Sequence, residues 1–351
     1  MAARRPHRGG QNASSEKNMR RVAAPLRRIQ SSAACTEEHS MSTTPVEHVS
    51  LQDAVIAVSG ATGLVGAALT QRLQQFGARV IRLTRSPTQD PESEAQWLPD
   101  QGLVEPERLA GCDAVIHLAG ESIADGRWTE AKKQRIRDSR VIGTESLCRS
   151  LATMERKPAT FVCASAIGYY GDRGDELLDE TSPPGDGFLP DVCLGWEQAC
   201  QPAHDAGIRV VNVRIGVILS RDGGALDKML LPFKLGVGGK IGSGRQFMSW
   251  VSLDDVVGTF VHALTQRELE GPVNAVSPQP VTNGEFTKTL GAVLHRPTVF
   301  PLPAFAAKLA LGQMADDLLL ASAKVLPSRL EQTGYRFRHS ELKSCLEAEL
   351  A

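Results

Sequence analysis

The feature that most constrains the fold is an apolar strand that runs directly into a glycine-rich turn. Residues 54–58 form the strand, and the turn follows the pattern G-x-x-G-x-x-G with Gly60, Gly63 and Gly66. Glycines let the backbone approach a pyrophosphate, and the unpaired N–H groups at the start of a following helix attract that phosphate. The segment therefore predicts the nucleotide-binding turn of a parallel α/β sheet.

The residues around this turn supply the context that a glycine pattern alone lacks. Apolar residues recur at helical spacing after the turn and stop at Gly77, which predicts a helix over residues 64–76. A second strand over residues 80–83 ends in Thr84 and Arg85, without an acid. An Asp or Glu here would bind a ribose 2′-hydroxyl, whereas an arginine suits a 2′-phosphate. The sequence thus predicts NADP(H) as the cofactor; the alternative is that Arg85 is a solvated surface charge.

Beyond this first unit the chain keeps alternating between short apolar strands and helical stretches. This alternation is typical of an α/β fold in which a doubly wound, Rossmann-type parallel sheet is covered by helices on both faces. Strands are expected over residues 114–120, 160–165 and 208–219, and helices over residues 129–153, 194–204, 283–294 and 304–320.

The same pattern divides the chain into a nucleotide-binding domain and a smaller lobe. Residues 51–225 form the nucleotide-binding domain, which is completed by residues 248–275. Residues 226–247 and 276–351 form the C-terminal lobe. Because ligands of such sheets lie beyond the carboxyl ends of the strands, this lobe is expected to close a substrate site.

A glycine-rich segment, residues 223–244, interrupts the alternation. Its glycines predict a loop region over the cofactor, shaped for a substrate; an ordinary flexible connection is the open alternative. The basic residues in and beside it would suit an anionic ligand: Lys228, Lys234, Lys240 and Arg245.

The first fifty residues differ from the rest. Through Thr36 they hold eight Lys or Arg and a single acid, Glu16, which predicts a disordered tail over residues 1–50. The composition is also similar to that of an organellar transit peptide. A third interpretation is that translation begins at Met19 or Met41. The expected location is the cytoplasm, with organellar import through this tail as the open alternative.

Composition limits the partners. Without residues 1–36, 31 basic residues stand against 39 acidic ones, so the body is acidic and nucleic acid is not an expected partner. No apolar run approaches the roughly eighteen residues that cross a bilayer, so no membrane partner is expected. A small-molecule substrate is the expected partner, and a homodimer is left open.

Cysteines and histidines show no metal-ligand spacing. The seven cysteines are scattered without a C-x-x-C pair, which favours free thiols, and the eight histidines show no ligand pattern. His117 lies on an apolar strand and is expected to be a core residue. The sequence therefore predicts no metal site.

Several motifs together resemble a known family. They are His117 to Glu121 (HLAGE), Ser165 to Gly171 (SAIGYYG) and Gly242 to Gln246 (GSGRQ). With the glycine turn they resemble an extended short-chain dehydrogenase/reductase. More narrowly, they are similar to the atypical group called epimerase family proteins, in the NAD-dependent epimerase/dehydratase superfamily. The resemblance covers residues 54–350.

The resemblance implies a set of cofactor-binding residues. Those around the pyrophosphate would be Gly60, Thr62, Gly63, Leu64 and Val65. The 2′-phosphate would contact Thr84 and Arg85, and the backbone lining the dinucleotide would be Leu118, Ala119 and Gly120. The remaining members would be Arg135 and Arg140 on the cleft side of a helix and Ile218 at the nicotinamide end. For the two helical arginines, a solvated charged face is the alternative.

The catalytic residues of the family are a Ser, a Tyr and a Lys, and this sequence departs from them. Leu189 occupies the Tyr position and Cys193 the Lys position, and neither supplies an acid like those residues.

Ser165 remains, followed by two tyrosines, Tyr169 and Tyr170. The working hypothesis is hydride transfer between the nicotinamide and a carbonyl polarised by Ser165, with Tyr169 or Tyr170 as the acid. One alternative is that these tyrosines only pack. Another is that the whole protein is a non-catalytic NADP(H) sensor.

Overall fold

The computed structural model describes residues 50–351, so the predicted N-terminal tail lies outside the described residues. Strands and helices alternate along most of this range. The strands are β1 Val55–Ser59, β2 Arg79–Thr84, β3 Glu94–Leu98, β4 Gly102–Leu103, β5 Ala114–His117, β6 Thr160–Ala166, β7 Leu177–Leu178, β8 Arg209–Ile215, β9 Val217–Ser220, β10 Phe247–Met248, β11 Trp250–Ser252, β12 Gly271–Ala275, β13 Val281–Thr282 and β14 Lys324–Val325. The α-helices are α1 Leu64–Gln75, α2 Glu130–Thr153, α3 Phe188–Gln198, α4 Gln201–Asp205, α5 Gly224–Lys234, α6 Leu253–Thr265, α7 Asn283–Val293, α8 Ala304–Leu311, α9 Gln313–Ala315, α10 Ser328–Gln332 and α11 Leu342–Leu350. Short 3₁₀ helices cover Pro106–Leu109 and Ile167–Tyr170, and a π-helical turn covers Asp316–Leu320.

An eight-stranded sheet forms the centre of the molecule, with the order β12-β8-β6-β5-β1-β2-β3-β4. All neighbouring strands are parallel except β3 and β4. Helix α1 packs on α6, whereas α2 packs on α3 and α4, so the sheet lies between helices. The interior strands are almost wholly apolar because parallel sheets of this kind are covered on both faces. The predicted α/β Rossmann-type fold is confirmed.

The strand order reverses between β1 and β5, which are direct neighbours. Successive strands run outward from β1 in one direction, through β2 and β3, and then outward from β5 in the other. In open α/β sheets the crevice at such a reversal, outside the carboxyl ends of the strands, is where ligands bind. The glycine turn that follows β1 therefore opens into this crevice.

A second core supports the C-terminal part of the chain. Helices α5, α7 and α11 pack around it together with β9 and β11. Its buried members are Leu219, Leu226, Leu230, Phe233, Trp250, Phe286, Leu290, Leu342, Cys345 and Leu346. Within residues 50–351, no helix is long and apolar enough to cross a membrane.

The single strand predicted over residues 208–219 is wrong. The chain bends at Gly216, so β8 stays in the central sheet while β9 pairs with β11 outside it. The bend is tight: a Cβ atom at Gly216 would lie 2.7 Å from the carbonyl oxygen of Ser249 and 2.8 Å from a methyl group of Val276. Only glycine permits this close approach of the two backbones.

The loop predicted over residues 223–244 is wrong in its first half, where α5 forms. Leu226, Leu230 and Phe233 recur at helical spacing and are buried in the second core, which outweighs the flanking glycines.

Two predicted helices are interrupted. The helix predicted over residues 194–204 begins earlier, at Phe188, and restarts as α4 with Pro202 in its first turn, where a missing N–H costs nothing. The helix predicted over residues 304–320 is broken at Gly312.

Candidate functional site

The glycine turn brings three backbone segments into close contact at the carboxyl ends of β1 and β5. Gly60 has a φ of +68°, and a Cβ atom there would lie 2.9 Å from the carbonyl carbon of Leu118. A Cβ atom at Gly66 would overlap the carbonyl oxygen of Gly60. Side chains at these two positions would push α1 and the end of β5 away from the turn. The glycines therefore hold the start of α1 at the crevice.

The start of α1 is open. Gly63 is the N-cap residue, and no side chain caps the helix. Thr62 and Gly63 are exposed, while Leu64 and Val65 are half-buried. The first N–H groups of a helix have no partner within the helix, and with the helix dipole they form a site for an anion. This arrangement fits the pyrophosphate of a dinucleotide.

Ser59 holds in place, through hydrogen bonds, the backbone of Leu118 and Ala119, which is predicted to line the cofactor. Its buried Oγ accepts hydrogen bonds from the N–H groups of Leu118, at 3.1 Å, and Ala119, at 3.3 Å, and lies 2.7 Å from Nδ1 of His117. Burial lowers the pKa of His117 to about 3, so its imidazole is neutral. His117 thus lies in the core. Ser59 was not among the residues predicted from the sequence, although a polar residue that ends a buried strand was a visible signal.

Arg85 directly follows β2 at the edge of the same crevice. It is exposed, and its guanidinium has no ion-pair partner among residues 50–351. The neighbouring Arg82, by contrast, pairs with Glu94 at 2.8 Å. Thr84 is half-buried, and its Oγ1 accepts a hydrogen bond from the backbone N–H of Ser86 at 3.2 Å. Arg85 is thus placed and free to pair with a phosphate.

Helix α2 contributes the two predicted arginines to the wall of the crevice in different ways. Arg140 lies over the ring of Trp196 at 4.9 Å and donates to the carbonyl oxygen of Glu121 at 3.0 Å. It also lies 3.3 Å from the position of a Cβ atom at Gly120. Burial lowers the pKa of Arg140. Arg135 is 60% exposed and lies 3.6 Å from the Glu121 carboxylate, at the rim.

The start of α5 lies against the start of α1. A Cβ atom added at Gly223 or Gly224 would lie 3.6–3.8 Å from the methyl groups of Leu64. Ile218, half-buried on β9, lies next to them, with its carbonyl oxygen 3.6 Å from that position at Gly224. The two glycines were not predicted as site residues; a glycine pair shortly after a strand was the available signal.

The predicted catalytic serine belongs to a buried ion-pair network. Ser165 is 2% exposed, and its hydroxyl donates to Glu197 at 2.7 Å. The Glu197 carboxylate also accepts two hydrogen bonds from Arg214, both at 2.8 Å. Arg214 comes from the buried strand β8, and Glu197 from α3. The Ser165 hydroxyl is therefore committed to the protein interior.

Tyr170 belongs to the same network. It is fully buried, its hydroxyl lies 2.8 Å from Oδ1 of Asn274 and 2.9 Å from the carbonyl oxygen of Asp179, and it accepts a hydrogen bond from Arg214 at 3.0 Å. Burial raises the pKa of Tyr170 to about 12. Protein groups thus occupy its hydroxyl, which argues against direct proton transfer from Tyr170 to a substrate.

Tyr169 is placed differently. Its ring stacks on the Arg214 guanidinium at 3.5 Å and meets the ring of Tyr170 edge-on at 5.3 Å. The side chain is 8% exposed, and within residues 50–351 its hydroxyl makes no hydrogen bond. Of the three predicted catalytic residues, Tyr169 alone keeps a hydroxyl free of protein partners in this part of the chain.

The positions of the family's Tyr and Lys are filled by packing. Leu189 and Cys193 are buried on α3 and face Gly168, where an added Cβ atom would lie 3.3 Å from Cβ of Leu189 and 3.7 Å from Sγ of Cys193. Burial raises the pKa of the Cys193 thiol to about 12, so it is neutral. Neither side chain can act as an acid or stabilise a tyrosinate.

The described cysteines are all buried and unpaired. Their burial fits the free thiols that the sequence predicts. No group of three His, Cys, Asp or Glu side chains in residues 50–351 is arranged to hold a metal ion.

Two family profiles match the chain. The profile of the NAD dependent epimerase/dehydratase family matches residues 56–275, which include the central sheet and the glycine turn. The profile of a domain of unknown function, DUF1731, matches residues 302–349, which include helices α8 to α11.

Curated relatives carry the name epimerase family protein. One from Mycobacterium bovis is 43% identical over 296 residues, which cover 84% of this chain and 97% of the relative. One from Arabidopsis thaliana, named as chloroplastic, is 37% identical over 300 residues, which cover 84% of this chain and 86% of the relative.

Two solved structures are similar in both sequence and fold. The human epimerase family protein SDR39U1, crystallised with NADPH, has a TM-score of 0.77 and 36% identity, covering 84% of this chain and 98% of that chain. The nucleoside-diphosphate sugar epimerase of Corynebacterium glutamicum has a TM-score of 0.71 and 37% identity, covering 86% of this chain and 59% of that chain.

Proposed function

This chain belongs to the NAD-dependent epimerase/dehydratase family, and from that premise we propose that it binds NADPH and acts as an NADP(H)-dependent oxidoreductase or epimerase-like enzyme. The observation that carries the proposal is Arg85, exposed and without an ion-pair partner in residues 50–351, at the end of β2, the strand that pairs with β1. An arginine in this place suits a 2′-phosphate. The human relative crystallised with NADPH supports the same choice.

The chain's own residues would hold the cofactor along the crevice. The backbone from Gly60 to Val65 would surround the pyrophosphate, and Thr84 and Arg85 would contact the 2′-phosphate. The backbone of residues 118–120, fastened by Ser59, would line the middle of the dinucleotide. Ile218 would flank the nicotinamide end.

A small carbonyl or sugar-type compound is the proposed substrate class. The name of the C. glutamicum relative supports a sugar-type substrate. An exposed Arg245 would favour an anionic one. Lys228 is already engaged, because its Nζ donates to the carbonyl oxygen of Ala124 at 2.9 Å and pairs with Asp125 at 3.3 Å.

Proton transfer falls to Tyr169 in this proposal. The bound nicotinamide nucleotide would supply hydride as NADPH or accept it as NADP⁺. Ser165 acts as a positioning residue, because its hydroxyl bonds to Glu197 and so helps to fix Arg214 beneath the Tyr169 ring. A proton donor in place contributes about 10²–10⁴-fold to a rate, so a poorly placed tyrosine would leave a slow enzyme.

A second candidate function is a non-catalytic NADP(H) sensor, whose bound nucleotide stabilises a conformation that a partner protein recognises. The observation that favours it is the apolar packing of Leu189 and Cys193 against Gly168. With both positions closed, the family's usual proton donor is absent. The cofactor site alone would then remain functional.

Cofactor preference tests the binding proposal. We expect calorimetry to show tighter binding of NADPH than of NADH, and Arg85→Ala to remove most of that preference by weakening NADPH about ten- to a hundred-fold, the value of one or two charge-assisted hydrogen bonds. Arg79→Ala, at the other end of β2, is the matched control and should keep the wild-type preference. Equal affinity for both nucleotides in the wild-type protein would contradict the proposal.

Measured turnover of NADPH distinguishes the enzyme proposal from the sensor proposal. NADPH oxidation is measured against a panel of small carbonyls and nucleotide sugars, for the wild-type protein and for Tyr169→Phe. The enzyme proposal expects a substrate whose turnover falls at least ten-fold in Tyr169→Phe while NADPH affinity is retained. Turnover that Tyr169→Phe leaves unchanged would contradict the assignment of Tyr169.

Location remains a proposal as well. We propose the cytoplasm, with import as the alternative that the basic tail and the chloroplastic Arabidopsis relative support.

A further inference from the structure

Exposed apolar side chains gather on the C-terminal lobe. Across residues 50–351, twelve large apolar side chains are exposed, and eight of them fall in two segments, residues 231–242 and 296–309. The most exposed are Leu309, at 77%, and Phe305, at 74%. We call the eight the apolar patch: Leu231, Leu235, Val237, Val299, Phe300, Leu302, Phe305 and Leu309.

The two segments that carry the apolar patch lie side by side. The N–H of Leu302 donates to the carbonyl oxygen of Lys240 at 2.9 Å, and the N–H of Gly242 donates to that of Leu302 at 2.9 Å. Further along, the Arg296 guanidinium donates to the carbonyl oxygen of Lys234 at 3.0 Å. Residues 296–302 therefore run along residues 234–242, and the patch is one surface built from distant parts of the sequence.

Helices α5 and α8 present matching faces to this surface. Leu231 on α5 and Leu235, which directly follows α5 in helical conformation, are four residues apart, as are Phe305 and Leu309 on α8, so each pair shares one helix face. On α8 the opposite side is fixed by the buried Ala307. Scattered apolar residues need no explanation, but a contiguous group of this kind marks a binding surface.

The charge within the same two segments is positive. They contain four basic residues and no Asp or Glu, although acids flank both segments. Lys308 pairs with Asp316, beyond the second segment, at 2.6 Å. The other three, Lys234, Lys240 and Arg296, form no ion pair with any residue in the range 50–351.

From this combination we infer that the apolar patch docks on the surface of an anionic lipid bilayer. The exposed leucine, valine and phenylalanine side chains would enter the boundary between headgroups and acyl chains, while the unpaired basic side chains meet the anionic headgroups. This activity goes beyond the proposed function. It also departs from the sequence expectation of no membrane partner, since a search for spanning runs cannot detect a patch assembled from separate segments.

Charge argues against the other occupants. A second copy placed symmetrically on the patch would bring the unpaired Lys234, Lys240 and Arg296 of the two copies together, because a two-fold interface pairs a surface with itself. The N-terminal tail carries eight basic residues against four acids before residue 50, so it also lacks the complementary charge. An anionic surface satisfies both the apolar and the basic side chains.

Vesicle sedimentation of the full chain tests this inference. We expect binding to vesicles of phosphatidylcholine mixed with phosphatidylserine, little binding to phosphatidylcholine alone, and weakening by added salt. The double variant Phe305→Ser/Leu309→Ser and the double variant Lys234→Glu/Lys240→Glu should each lose about ten-fold or more in binding. All substituted side chains are exposed, and unchanged thermal melting would show that the variants fold.

Matched controls show whether vesicle binding depends on the patch rather than on the basic tail or on nonspecific adsorption. Phe76→Ser and Lys157→Glu change an exposed apolar and an exposed basic side chain outside the two segments and should bind vesicles as the wild-type protein does. The inference is overturned if the wild-type protein ignores anionic vesicles, or if the patch variants bind them as tightly as the controls. It is also overturned if the patch variants only abolish a dimer seen by light scattering.

Discussion

Two regions at the carboxyl edge of one sheet are built in opposite ways. Around β1, β2 and β5 the groups that a nucleotide needs are left open: the start of α1 is uncapped and Arg85 has no ion-pair partner in residues 50–351. Around β6 and β8 the corresponding polar groups are consumed, because Ser165, Glu197 and Arg214 bond to one another in the interior. The fold thus leaves the predicted cofactor crevice open, while Ser165 and its partners serve the interior.

The first prediction, with the largest expected effect, tests whether the closed region is structural. Arg214→Met leaves the Glu197 carboxylate buried without its partner, so we expect a loss of about 3–5 kcal/mol in the free energy of unfolding. Urea denaturation measures this loss. The double variant Glu197→Gln/Arg214→Met removes both charges and should recover part of it.

The control for that prediction is an exposed ion pair. Lys343→Met breaks the pair with Glu347 on α11 and should leave the free energy of unfolding unchanged. If Arg214→Met is as stable as the wild-type protein but no longer binds NADPH, the network serves cofactor binding and not stability, which contradicts the comparison.

The second prediction tests the open region through its glycines. Gly66→Ala places a methyl group on the carbonyl oxygen of Gly60, so we expect about 1–3 kcal/mol of destabilisation and weaker NADPH binding. Gly63→Ala is the control for stability, because the nearest atom to its added methyl group lies at 3.4 Å. Thermal melting with and without NADPH measures both effects. Equal melting temperatures for the two variants would show that the turn is not packed as described.

How far the sequence predicts the two regions follows from where their contacts come from. The glycine turn was predictable because Gly60, Gly66 and the strand before them are consecutive, and Arg85 follows the next strand. The network was not, because Ser165 and Glu197 are 32 residues apart and Tyr170 and Asn274 are 104 apart. An arginine inside the apolar strand β8 was the available signal, since a buried charge needs a partner.

The fold shows the same division. Helix α1, whose apolar residues recur at helical spacing, and the charge-rich helix α2 were both predicted to within one residue of their bounds. Helix α5 was missed because glycines at its ends masked three apolar residues at helical spacing. The bend at Gly216 was missed because its cause, the approach of Ser249 and Val276, is a contact between distant segments.

The third prediction has the smallest effect and concerns the neutral His117 beneath the open region. Its pKa of about 3 in the folded protein lies below the ordinary value of 6.5. As pH falls below 6.5, His117 becomes protonated in the unfolded chain but stays neutral in the folded protein. The free energy of unfolding therefore falls by up to about 1.4 kcal/mol per pH unit. His117→Gln should flatten this slope between about pH 6.5 and pH 4, measured by urea denaturation.

The control is His295→Gln, at an exposed position, which should leave the slope as it is in the wild-type protein. If the free energy of unfolding of His117→Gln depends on pH as steeply as that of the wild-type protein, the fold does not keep the buried imidazole neutral.

NADPH titration of two single variants by calorimetry tests the central claim most directly. The account predicts that Arg85→Ala weakens NADPH binding about ten- to a hundred-fold, whereas Ser165→Ala binds NADPH as the wild-type protein does, because the Ser165 hydroxyl serves the interior. Full affinity in Arg85→Ala, or a loss in Ser165→Ala as large as that in Arg85→Ala, would contradict the account.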